Sequence, residues 1–297
     1  MTLRDNENMK AINRRDFIGR TVSTVLAVSV LPAFAEKAGV KFKVGVTDWN
    51  LHQEDKVESV ALAKSLGFDG VQVSIGKVTE DKLPLSDPAL QRIFLSESKR
   101  LNFPIESLCL EMLHRNYLKS DPLGQRWVDD CIPIAKAMGV RVVLLPFFGK
   151  GALETGGEMD KVGDILKEIA PAAERSSVIL GLEDTISARD NVRIMERTKS
   201  SAVLTYYDVG NSTKGGFNVV EEIRWLGRKR ICEVHLKDNP HYLGEGTIDF
   251  KAVIGALADI GFDGWAQLET ESPVALDADM RRNLKFVRDQ IAARNAG

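Results

Sequence analysis

Four residues in the second half of the chain are of types that can together hold a metal ion and move protons: Glu183, Asp208, His235 and Glu269. Each closes or nearly closes a short run of apolar and β-branched residues. The runs are Val178-Ile179-Leu180-Gly181-Leu182-Glu183, Val203-Leu204-Thr205-Tyr206-Tyr207-Asp208, Ile231-Cys232-Glu233-Val234-His235 and Gly264-Trp265-Ala266-Gln267-Leu268-Glu269. Three carboxylates and one imidazole make a mixed O/N donor set. Such a set suits Mn, Zn, Mg or Fe(II), and the lack of thiolate argues against a structural zinc site. A divalent ion held there would polarise a carbonyl or stabilise an enediolate, and a carboxylate beside it would move a proton. One acidic residue at a strand end often means only that strand ends meet solvent. Four in order, spaced by 25, 27 and 34 residues, weigh against that reading for the set.

Those spacings are each about one strand plus one helix. Continuous apolar runs suit strands covered on both faces, as in a parallel sheet. Functional groups repeated at the C-terminal ends of such strands predict an α/β fold, a single (β/α)8 or TIM barrel with its site at the top. The upstream chain supplies the remaining units. Lys43 to Asp48 reads as strand 1, with Trp49 and Asn50 opening its top loop. Val57 to Leu66 has helical periodicity and stops at Gly67, a C-cap. Phe68 to Ser74 reads as strand 2, and Asp87-Pro88 opens the next helix. Ile105 to Leu110 reads as strand 3, whose top loop carries Glu111 and His114. A helix follows from Asp121-Pro122 to Met138, and Arg141 to Pro146 reads as strand 4. Gly151 to Gly157 is expected as a loop, with helices at Lys161–Ser176, Asn191–Lys199, Asn218–Leu226, Asp249–Ile260 and Leu276–Arg294.

Composition bounds the function. The chain has 297 residues, 44% of them hydrophobic and 28% charged, with a net charge of −2. Nothing basic enough for nucleic acid is visible. Cys109, Cys131 and Cys232 show no metal-finger spacing and no even disulfide framework, so buried free thiols are expected. The start of the chain reads differently. Arg14-Arg15 within Asn13-Arg14-Arg15-Asp16-Phe17-Ile18 precedes an apolar run from Thr21 to Leu31, and Ala33-Phe34-Ala35 supplies an Ala-x-Ala cleavage pattern. A short apolar stretch, basic in front and small behind, predicts a cleavable twin-arginine signal peptide over residues 1–35 rather than a membrane span. The expected organisation is therefore a leader at 1–35 and a barrel at 36–297, near the ~250 residues usual for this fold. Export to the periplasm or beyond by the twin-arginine route follows as an expectation, with no membrane span in the mature chain. A homo-oligomer is compatible with this reading.

The motifs Gly181-Leu182-Glu183-Asp184, Tyr207-Asp208-Val209-Gly210-Asn211, His235-Leu236-Lys237-Asp238 and Leu243-Gly244-Glu245-Gly246 resemble those of the sugar phosphate isomerase/epimerase superfamily with a xylose isomerase-like barrel. Ketose 3-epimerases, hydroxypyruvate isomerases and inosose dehydratases are among its members. The resemblance covers roughly residues 42 to 295 and specifies the substrate poorly. It implies that Glu183, Asp208, His235 and Glu269 ligate one divalent metal, Mn first, with Zn, Mg, Co or Fe as alternatives. It also implies that Glu183 and Glu269 act as an acid/base pair on either face of a sugar carbon next to a carbonyl. Asn211 stands where many members carry His, and Lys237 where ketose epimerases commonly carry Arg. Both depart from the epimerase pattern and leave the ligand set whole. The related apurinic endonucleases need extra histidines for three zinc ions, whereas this chain has only His52, His114, His235 and His241.

The function expected is metal-dependent isomerisation or epimerisation through an enediolate. Export favours an unphosphorylated ketose or keto-sugar as the small-molecule substrate. Metal-dependent β-elimination on a 3-keto-glycoside shares the first proton transfer and is the alternative; a barrel that binds sugar without chemistry is a further one. Asn211, Lys237, Glu111, His114 and Trp49 are the candidate substrate contacts.

Overall fold

Eight short strands, each of four to six residues, alternate with helices that cover their outer faces. The computed structural model describes residues 38–78 and 82–296; the leader expected at 1–35 lies outside the described residues. In chain order the strands are β1 (Lys43–Thr47), β2 (Gly70–Ser74), β3 (Ile105–Cys109), β4 (Val142–Pro146), β5 (Ile179–Glu183), β6 (Val203–Asp208), β7 (Ile231–Leu236) and β8 (Trp265–Leu268). The helices are α1 (Glu58–Leu66), α2 (Pro88–Leu101), α3 (Pro122–Met138), α4 (Gly156–Ser176), α5 (Ala188–Thr198), α6 (Val209–Lys214), α7 (Val219–Leu226), α8 (Phe250–Asp259) and α9 (Leu276–Ala296). The strands pair in sequence order, all parallel, and β1 closes on β8 with Val46 opposite Leu268. The expected single barrel is the fold.

Local chemistry sets the helix ends. Asp87 accepts the Ala89 amide and Pro88 takes the first position of α2, where a missing N–H costs nothing. Asp121 and Pro122 repeat the device on α3. Helix α4 begins five residues earlier than Lys161, because Thr155 and Glu158 form a reciprocal capping box. The Glu158 amide donates to Thr155 Oγ1 at 3.2 Å, and Glu158 Oε2 accepts the Thr155 amide at 3.0 Å. Gly156 and Gly157 therefore lie in a helical turn, not in the loop expected there. Helix α5 likewise starts at Ala188, three residues before Asn191, because Ser187 caps it. Helix α6 was not anticipated; it follows Asp208 directly and is only six residues long.

The main core lies between the strands and the helices, and includes Val46, Val73, Phe94, Trp127, Leu182, Leu236 and Phe262. A smaller cluster of strand residues, Cys109, Val142, Leu144, Tyr206 and Cys232, packs separately, with Trp49 against it. All three cysteines are buried and free. Among the described residues no helix is long and apolar enough to cross a membrane.

The top of β1 is tied to β2 by a buried carboxylate. Asp48 accepts the Ser74 amide and hydroxyl, each at 2.8 Å, and the Asp55 amide at 3.0 Å. Burial nevertheless outweighs these bonds and pushes its pKa up to about 7. A folded pKa above the unfolded one means that the folded state holds the proton more tightly. The Asp48 contribution is then fully present below about pH 4 and is lost as pH rises to about 7, at up to roughly 1.4 kcal/mol per pH unit. Asp48→Asn is expected to gain about 3 kcal/mol on wild type between pH 4.5 and 7. Urea unfolding of both proteins at the two pH values checks this, and a constant difference would refute it.

Candidate metal centre

The four expected ligands converge. Glu183 and Asp208 are the last residues of β5 and β6, His235 is the penultimate residue of β7, and Glu269 directly follows β8. One ligand atom from each lies within 4.8 Å of every other. His235 is fully buried, with Nδ1 at 2.9 Å from Glu183 Oε1, 3.4 Å from Glu269 Oε2 and 3.8 Å from Asp208 Oδ2. The two oxygens of Asp208 have separate tasks. Oδ1 caps α6 by accepting the Asn211 amide at 2.7 Å, and Oδ2 faces the centre. A short helix directly after the strand is what holds this ligand in place.

Charge distinguishes the members. Three carboxylates face one imidazole and one ammonium, that of Lys237, at 3.1 Å from Asp208 Oδ2 and 2.6 Å from Glu269 Oε2. Burial opposes ionisation of Glu269, but His235 and Lys237 overcome it and hold its carboxyl well below the usual range. Burial dominates at Asp208 and raises it to about 7, against the pull of Lys237. Burial lowers His235, yet Glu183 and Glu269 raise it further, to about 10. Concentrated negative charge with oxygen and nitrogen donors at mutual ligand distance fits one divalent cation. Oxygen donors with one imidazole and no thiolate fit a hard or borderline divalent cation better than a thiol-seeking one.

The other expected contacts divide. Trp49 and Lys237 belong to the centre: Trp49 Nε1 donates to Glu269 Oε1 at 3.3 Å. Asn211 is beside it, buried, with its side-chain Nδ2 unpartnered, and lines an open groove of about 550 Å³ with Lys237 and Lys214. His114 lies toward the mouth, stacked on Phe148 at 6.0 Å; partial burial lowers its pKa against the opposing pull of Glu183 and Glu269. Glu111 instead has a structural bond. It is buried and accepts the Gly76 amide at 2.8 Å, tying the β3 loop to the end of β2, and burial raises its pKa to about 8.

The family motifs have physical content. Asp238 does not pair with Lys237; its Oδ2 accepts the Gly244 and Gly246 amides at 3.1 and 2.9 Å. A Cβ on Gly246 would lie 2.3 Å from the Asp238 carboxylate, so the Gly-Glu-Gly loop closes only with glycine there. The His235-Leu236-Lys237-Asp238 segment and that loop are thus one unit. The residues missed from sequence are Gln72, Ser107 and Tyr206, which support His235 from inside the barrel. Their one signal was polarity within strands that are otherwise apolar.

Comparison with known proteins agrees with this architecture. The family model described as "Xylose isomerase-like TIM barrel" matches residues 60–290. L-ribulose-5-phosphate 3-epimerase UlaE of Escherichia coli is 27% identical over 264 residues, covering 81% of this chain and 90% of that protein. The structure of 3-keto-D-glucoside 4-epimerase YcjR from E. coli superposes with a TM-score of 0.70 at 18% identity, covering 84% of this chain and 100% of that one. The IOLI protein with a binding zinc atom superposes with a TM-score of 0.66 at 20% identity, covering 85% and 99%. This chain belongs to the xylose isomerase-like TIM barrels of the sugar phosphate isomerase/epimerase superfamily.

Proposed function

We propose that this chain is an exported, divalent-metal-dependent sugar isomerase or epimerase that works by proton transfer next to a carbonyl. The buried group Glu183, Asp208, His235 and Glu269, with donor atoms within 4.8 Å of one another, carries the reading. The epimerases among its relatives support the reaction class. The twin-arginine pattern at Arg14-Arg15 supports a leader over 1–35, a mature barrel over 36–297 and a periplasmic or otherwise exported site of action. Export in turn favours an unphosphorylated ketose or keto-sugar.

These four residues would hold one ion, Mn being the first candidate, and a bound ion would supply charge stabilisation to the substrate's oxygens. The rest of the chemistry is the protein's own. Glu183 on β5 and Glu269 after β8 approach His235 Nδ1 from separate strands, so their carboxylates reach the centre from two sides. One carboxylate takes the proton from the carbon beside the carbonyl. The other delivers a proton to the opposite face for epimerisation, or to the neighbouring carbon for isomerisation, in which case the hydroxyl proton also passes from the one oxygen to the other. In this reading Lys237 and the Asn211 amide, which line one groove, hold the substrate's oxygens, with Trp49 and His114 toward the mouth.

The test is solvent exchange. The full chain, loaded with Mn(II), is incubated in deuterated water with unphosphorylated ketoses and 3-keto-glycosides and followed by proton NMR. Deuterium entering the carbon beside the carbonyl is expected, and the product identifies isomer, epimer or elimination. No label with any of these substrates, from protein carrying one metal per chain, would sink the proposal.

A further inference from the structure

The barrel interior beneath the metal centre holds a connected chain of hydrogen-bonded polar side chains. It starts at Glu106 and Glu233, which line a cavity of about 710 Å³ together with Arg141, Lys229 and Gly264. Those last three residues each precede a strand, so this cavity opens at the N-terminal end of the barrel, opposite the site. Ser107 Oγ donates to Glu106 Oε1 at 2.8 Å. A hydroxyl has one proton, so with that proton given to Glu106 the Ser107 oxygen can only accept from its other neighbour.

That neighbour is Gln72. Its Nε2 donates to Ser107 Oγ at 2.9 Å and to Tyr206 Oη at 3.2 Å, which uses both amide protons. Turned over, its oxygen would face the Ser107 oxygen, whose proton is given to Glu106, and its NH2 would face the imidazole. Gln72 Oε1 therefore points at His235 Nε2, 3.1 Å away, and requires a proton there. With Nε2 carrying the proton, the free lone pair of a neutral His235 is on Nδ1, the atom facing Glu183, Asp208 and Glu269. Tyr206 also packs edge-on against the imidazole, ring centroids 4.6 Å apart, and so restrains the ring plane.

We propose that Gln72 is a positioning residue that commits His235 to the Nδ1 ligand form, with Ser107 setting the sense of the Gln72 amide. The inference rests on the metal-centre reading above. A metal-ligating histidine held through its other nitrogen loses about 10–100-fold in metal affinity when that partner is removed. Gln72 is fully buried and lies 163 residues from His235 in sequence, so a packing role must be separated from a positioning one.

One substitution in the full chain does that. Gln72→Met keeps the volume and removes the acceptor. Metal binding is measured by calorimetric titration with Mn(II). Gln72→Met should bind about 10–100-fold more weakly than wild type. A packing role predicts binding within about threefold of wild type, because Met fills the space of Gln72. Gln72→Met within about threefold of wild type would overturn the proposal. A second readout needs no variant: ¹⁵N-histidine NMR of the wild-type chain titrated with Zn(II). The His235 signals should show a protonated Nε2 and a ligating Nδ1; ligation through Nε2 would overturn the proposal whatever the variant does. Failure of wild type to bind either ion is a different result, since it removes the metal centre and not the role of Gln72.

Discussion

Replacing Glu269 with Gln is expected to lower solvent-deuterium exchange into substrate by about 10³-fold or more, the size of a lost acid/base group together with its charge. Both oxygens of Glu269 are engaged: Oε1 accepts from Trp49 Nε1 at 3.3 Å and Oε2 from Lys237 Nζ at 2.6 Å. A glutamine fills the same space with one oxygen and one NH2. Whichever way the amide turns, a donor meets a donor, either the Trp49 indole or the Lys237 ammonium. The variant thus loses the base and leaves one buried donor unsatisfied. Exchange measured at saturating Mn(II), with bound metal counted per chain, separates lost proton transfer from lost metal. Exchange within tenfold of wild type at full metal occupancy would remove Glu269 from the chemistry.

His235→Ala is expected to weaken metal binding by roughly 10²–10³-fold, taking structural zinc affinities of about 10–16 kcal/mol as shared among four ligands. The imidazole is the single nitrogen donor and sits among all three carboxylates, so no other side chain of the set replaces it. Its loss also strips Gln72 Oε1 of its partner and leaves Lys237 as the one cation bonded to Asp208 and Glu269. The three anions then repel one another with less compensation, and the metal-free protein should unfold at lower temperature than wild type. Metal content by elemental analysis and a thermal melt with and without Mn(II) check both parts. Stoichiometric metal and an unchanged melt would show that the ion does not depend on this residue.

The two substitutions probe residues that were legible for a local reason. In a parallel barrel the apolar run, the ligand at its end and the turn that follows are contiguous in sequence. Glu183, Asp208 and His235 are therefore readable from short windows, and Glu269 from the turn Gly261-Phe262-Asp263-Gly264 that leads into β8. Helix starts were less legible where a cap and not the apolar period decided them. Thr155 and Glu158 extend α4 through two glycines that composition alone assigns to a loop. Asp208 starts α6 with the same carboxylate that serves the centre, so one residue reads as both a strand end and a cap. Glu111, expected on the β3 loop, has a bond that the sequence did not show: its Oε1 accepts the Gly76 amide and ties that loop to the end of β2.

By itself the sequence determined the strand–helix alternation, the closure into one barrel and the identity of the four convergent candidate ligands. The reason is that apolar period and strand-end position are properties of neighbouring residues. Tertiary structure alone decided which ligand atom faces the centre, which lysine neutralises it and which side chains orient it. Lys237 reaches Glu269 across 32 residues and Trp49 reaches it across 220, and Gln72 meets His235 across 163. A hydrogen bond depends on two atoms arriving at about 3 Å in the right direction. That meeting is set by the register of strands distant in the chain, which no local pattern encodes.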